Sequence, residues 1–128
     1  SLEKLAIKLL IDKIKDEHIK QLMEINNKCK SNYNTGKYKQ FVQNDNKFHY
    51  FILKLSGNEY ILPPYETIQG KMNNFKLSGI RNADSIKVAI DYHDLIIKSL
   101  SERDLEQAQQ NIGEHIDEAY NHTIRVLS

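Results

Sequence analysis

One cysteine, Cys29, two prolines, five glycines and no tryptophan leave few special building blocks in this 128-residue chain. A lone cysteine excludes an internal disulfide and fits a reducing, cytoplasmic setting. No apolar run approaches the roughly 20 residues needed to span a bilayer. No signal-peptide pattern precedes the first helical segment. An excess of one charge is missing too: 18 basic residues face 17 acidic ones, for a net charge of +1. Nucleic-acid-binding domains usually carry a basic excess, so this chain is not expected to bind DNA by itself. There is no H-E-x-x-H, no G-x-S-x-G, no glycine-rich phosphate loop and no Cys-His pair at metal spacing. Strand-like alternation, low-complexity tracts and internal repeats are likewise absent.

What is present suits one soluble domain, residues 1–128. Hydrophobic residues make up 40% and charged residues 27%. A chain of this length buries roughly two-thirds of its unfolded surface, enough for a core without staples. The first residue is Ser1 and stands almost inside a helical pattern, so the expectation is a longer protein cut at a domain boundary.

Apolar spacing predicts about six helices with short connections, an all-α antiparallel bundle. Leu2, Leu5, Ala6, Leu9 and Leu10 form a first stripe, with Ile7, Ile11 and Ile14 beside it. So wide an apolar arc suits an interior or interface helix. After a charged break at Asp12 to Glu17, a second stripe runs through Ile19, Leu22, Met23, Asn26, Cys29 and Tyr33 and stops at Gly36. The third helix, about 37–56, carries Tyr38, Phe41, Val42, Phe48, Ile52 and Leu55 and closes at Gly57-Asn58. Pro63-Pro64 can start a fourth, with Tyr65, Ile68, Met72 and Phe75, ending at Ser78-Gly79. Asp84 or Ser85 caps a fifth, with Ile86, Ala89, Ile90, His93, Ile96, Ile97 and Leu100. Ser101 to Asp104 has capping-box spacing and opens a sixth, with Leu105, Ala108, Ile112, His115, Ile116, Ala119, Thr123 and Val126.

Four polar side chains fall on these inner stripes. Asp45 and His49 lie one turn apart on the third helix, His93 on the fifth and His115 on the sixth. An unpaired buried carboxylate is costly, so Asp45 needs a partner inside. Three imidazoles and one carboxylate suit a divalent first-row ion such as Zn²⁺ or Ni²⁺. Periodicity alone leaves two readings open, a metal site or a structural polar network. His122 rivals His115 on nearly the same face but is near the chain end, where a helix frays. His18 falls in a charged stretch and is expected at the surface. Cys29 reads as a small core residue.

The segment NDNKFHYFILKLSGN, with Asp45, Phe48 and His49 followed by Ser56-Gly57-Asn58, resembles the D-x-x-F-H and S-G-N pattern of the FCD domain. That domain is the C-terminal effector-binding part of FadR-subfamily GntR transcription regulators. The resemblance continues through His93-Asp94-Leu95-Ile96, through Asp104 to Ala108, through His115 eleven residues after Asp104, and in the opening Leu2-Glu3-Lys4-Leu5-Ala6. It implies a helical bundle around a pocket, with Asp45, His49, His93 and His115 holding the ion beside a small carboxylate effector. It also implies a homodimer whose effector alters DNA binding by a winged helix-turn-helix domain on the N-terminal side. That domain is absent from this chain. Tyr92 stands where many members have Glu. Arg81, Lys71 and Asn111 are candidates for gripping the effector.

The expected function is therefore sensing rather than catalysis. A metal-dependent hydrolase is the rival, since a His₃Asp site can activate water given a general base. Glu114 and Glu118 flank His115 but are poorly placed for that role. A third alternative is a closed structural metal centre in a dimerisation module.

Overall fold

Several helix ends coincide with a local cap. The computed structural model describes residues 1–58, 60 and 82–127, and among them it has five helices and no strand. These are α1 (Leu2–Leu10), α2 (Asp16–Asn34), α3 (Tyr38–Leu55), α4 (Ala83–Ser101) and α5 (Leu105–Leu127). The helix expected after Pro63-Pro64 lies outside the described residues.

Ser1 caps α1, its Oγ accepting from the Lys4 N–H at 3.2 Å. Gly36, at φ +69°, ends α2 as its spacing predicted. It donates to the Tyr33 carbonyl while Lys37 donates to that of Asn32, the paired bonds of a Schellman stop. Gly57, at φ +70°, closes α3.

Two caps differ from expectation. Asn82, upstream of Asp84 and Ser85, caps α4. Its side chain accepts from the Ser85 N–H at 2.9 Å, and the Ser85 hydroxyl accepts from the Asn82 N–H at 3.1 Å. At the other end Ser101 does not open α5, because it is still the last residue of α4. Arg103 takes the left-handed conformation at φ +54°. Its N–H reaches the Leu100 carbonyl, and that of Asp104 reaches Ser99. Asp104 then caps α5, accepting from the Gln107 N–H at 3.0 Å.

The helices close into a ring. α1 packs on α3 and α5, α2 on α3 and α4, and α4 on α5. Two apolar clusters fill the ring. The larger includes Ile7, Leu10, Leu22, Phe48, Ile52, Ile96, Leu100 and Ile112. The smaller holds Cys29, Phe41, Val42, Ile86, Ala89 and Ile90. Each fully buried large side chain contributes roughly 1.5–3 kcal/mol.

The inner face of α1 is narrower than its composition suggests. Ala6, Ile7 and Leu10 are buried, whereas Leu5 and Leu9 are 44% and 40% exposed. Ring closure allows α1 to turn only one face toward both α3 and α5, which leaves those leucines outside. Met23 and Tyr38, also placed on inner stripes by spacing, are exposed as well.

Candidate metal centre

The two apolar clusters meet at a polar layer. Along α2 it falls between Leu22 and Cys29, at Asn26. Along α3 it falls at Asp45 and His49, between Val42 and Ile52. Along α4 it falls between Ile90 and Ile96, at His93. On α5 it is His115, one turn past Ile112. α1 adds Glu3, on the same face as Ala6, Ile7 and Leu10. All six side chains are buried. Every described helix thus sends at least one polar group to the centre of the ring.

Asp45, His49, His93 and His115 come together as their spacing predicted. One ligand atom from each lies within 4.8 Å of all the others. Asp45 Oδ1 is 3.0 Å from His93 Nε2 and 3.3 Å from His49 Nε2. His115 Nε2 is 3.1 Å from His49 Nε2. The rings hold one another in place. Phe48 stacks on His93 with centroids 4.0 Å apart, and His49 stacks on His115 at 5.0 Å.

The outward nitrogens of two of these rings are fixed. His49 Nδ1 meets Glu3 Oε1. His93 Nδ1 meets Asn26 Oδ1 at 2.9 Å. The Asn26 Nδ2 donates to Asp94 Oδ1 at 2.9 Å and toward the Ile90 carbonyl at 3.4 Å, so its oxygen is the atom that faces His93. Both imidazoles therefore turn Nε2 toward Asp45.

Electron-pair donors packed this closely repel unless a cation, a proton or a metal, stands among them. The donor set fits a metal. Ligand atoms about 2.0–2.1 Å from a zinc ion at tetrahedral corners lie about 3.3 Å from one another, close to the three distances observed. A proton can take the same place. Burial pushes the His49 pKa down, but the carboxylates of Glu3 and Asp45 outweigh it and raise the value to about 10. Burial, then Asp45, pushes the Cys29 thiol up to about 12. Cys29 is fully buried, as its place on the stripe suggested.

Asn111 is buried, but its amide holds α4 to α5. Nδ2 donates to the Leu95 carbonyl at 3.1 Å, and Oδ1 accepts from Gln107 Nε2 at 2.9 Å. Lys71 and Arg81 lie outside the described residues. His122 is half-buried within α5 rather than frayed. It lines a narrow cleft with Ser85, Val88, Ala89, Glu118 and Ala119 that reaches His115. His18 is at the surface as expected, with its ring partly covered. It closes the first turn of α2, its Nδ1 accepting from the Lys15 N–H at 3.0 Å. Glu114 is exposed and bound by Gln110, and Glu118 faces Arg125 at 3.4 Å, so neither joins the cluster.

Two functional candidates went unassigned from the sequence. Asn26 stood on its stripe without a role, because its partner is 67 residues away. Glu3 could have been found from its spacing of three, four and seven to Ala6, Ile7 and Leu10.

A model of the FCD domain family matches residues 1–118. The solved structure of E. coli McbR/YncC superposes with a TM-score of 0.90 at 17% identity, over 99% of this chain. The chain spans 61% of the length of that structure's chain. Comparison with curated proteins finds no match.

Proposed function

The chain belongs to the FCD domain family, and from that premise we propose that it is the ligand-sensing and dimerisation domain of a FadR-subfamily GntR transcription regulator. One observation carries this reading: Asp45, His49, His93 and His115 place four ligand atoms within 4.8 Å in a buried layer. These residues hold a divalent transition metal, Zn²⁺ or Ni²⁺. When bound, the ion would neutralise Asp45, and by expanding beyond the four protein ligands it would offer a position for a carboxylate oxygen of a small effector. The cleft beside His115 has room for no more than a water molecule, so an effector reaches the centre only where α4 and α5 part there. The family match favours sensing over a purely structural role. Catalysis is disfavoured because Glu114 and Glu118, the candidate general bases, stand outside the cluster.

DNA binding belongs to a winged helix-turn-helix domain on the N-terminal side, joined through α1. The regulator acts as a homodimer. An effector changes DNA affinity only by binding one domain arrangement better than another.

The test is a thermal-shift screen of small mono- and dicarboxylates on Zn²⁺-loaded protein. At least one acid raises Tm in the parent and not in Asp45→Ala/His93→Ala. If no acid stabilises the loaded parent, the centre is closed and the sensing role fails.

A further inference from the structure

A ligating imidazole presents one nitrogen to the metal and donates the other N–H to an acceptor that sets its tautomer and tilt. The ring divides this work between helices. α3, α4 and α5 carry the four candidate ligands, while α1 and α2 supply acceptors from behind. Glu3 and Asn26 meet the Nδ1 atoms of His49 and His93 respectively. Glu3 lies in the first turn of α1 and is only 8% exposed. A carboxylate so placed loses hydration that only a specific partner restores. His49 is that partner.

We infer that Glu3 is a positioning residue of the metal centre: by accepting the Nδ1–H of His49 it presents Nε2 to the ion, and it thereby ties the first turn of α1 to occupancy of the site. The inference rests on the metal reading above. It gives α1 a direct part in sensing. With the ion in place the His49 ring is fixed, so Glu3 anchors the start of α1 to a ring that cannot turn. Asn26 does the same for His93 from α2, but that contact leaves α1 untouched.

The experiment compares the parent with Glu3→Ala and Glu3→Gln. Zn²⁺ affinity is measured by chelator competition, folding by circular dichroism, and α1 by amide hydrogen exchange with and without Zn²⁺. Glu3→Ala is expected to bind Zn²⁺ roughly 10–100-fold more weakly, the usual cost of removing such an acceptor. Glu3→Gln recovers part of the loss, because an amide oxygen still accepts. Zn²⁺ slows exchange in α1 of the parent and does so less in Glu3→Ala. Equal affinity in the parent and a folded Glu3→Ala overturns the positioning role and leaves the metal centre standing. A parent that takes up no Zn²⁺ overturns both. Should Glu3→Ala fail to fold, the ¹⁵N–¹H correlation of the parent's histidine rings decides instead. Zn²⁺-loaded His49 must carry its proton on Nδ1, and a proton on Nε2 overturns the inference.

Discussion

His93 on α4 and Asn26 on α2 are 67 residues apart in the chain, yet His93 Nδ1 lies 2.9 Å from Asn26 Oδ1 at the level where the two apolar clusters meet. The amide is held in turn by Asp94, whose other oxygen pairs with Lys30 at 3.1 Å. A buried ring is thus steered from a partly exposed network.

Asn26→Leu keeps much of the volume and removes the acceptor. The stranded Nδ1–H of His93 costs about 1–3 kcal/mol, the usual penalty for an unsatisfied buried donor. Urea unfolding of metal-free protein measures the loss. Zn²⁺ affinity falls as well, because nothing then fixes the His93 tautomer.

The metal-free protein loses stability as the solution turns alkaline. His49 has a folded pKa of about 10 against an ordinary 6.5. Its contribution is full below pH 6.5 and is lost as pH rises through about 10. The urea midpoint of apo protein falls between pH 7 and pH 10, and His49→Gln flattens that slope. For the same reason Zn²⁺ binding near neutral pH releases a proton, which calorimetry in buffers of different ionisation enthalpy detects.

Cys29 reports on the smaller apolar cluster. Its thiol is fully buried and its pKa is pushed up to about 12 by burial and then by Asp45, so little thiolate exists to react. Thiol reagents at pH 8 label native protein slowly and denatured protein rapidly, to one equivalent. Rapid labelling of folded protein contradicts the packing around Cys29.

Gly113 on α5 is crossed by Lys4 of α1. A Cβ there meets Lys4 Cε at 2.5 Å and Nζ at 2.9 Å, the far end of a flexible side chain that can move aside. Alanine is favoured over glycine inside a helix by up to about 1 kcal/mol. Gly113→Ala is therefore expected to be neutral or to stabilise by a few tenths of a kcal/mol, read as a small rise in Tm. A loss beyond about 1 kcal/mol means that α1 and α5 approach more closely than Lys4 can accommodate.

The helices and the four central residues were legible because both obey one rule. Apolar side chains recur every three or four positions, and polar groups that break the stripe must be satisfied inside. Asp45, His49, His93 and His115 each break a long stripe on its inner face. Glu3 was harder, because α1 is apolar over so wide an arc that Leu5 and Leu9 looked as buried as Ala6. Only ring closure decides which arc turns inward. Helix ends depended on reciprocal bonds that spacing alone does not rank, hence Asn82 in place of Asp84 or Ser85, and Asp104 in place of Ser101. Asn111 lies on the right helix face, but its amide is held by Leu95 and Gln107, partners that only packing reveals.

Metal content of untagged protein, by elemental mass spectrometry beside Asp45→Ala/His93→Ala, tests the four-residue centre most directly. About one equivalent of zinc or nickel per chain in the parent, and almost none in the variant, is the result expected from four converging ligand atoms. A parent that carries no transition metal and takes up neither Zn²⁺ nor Ni²⁺ when supplied contradicts it, and Asp45 and the three histidines then form a proton-bridged polar layer instead.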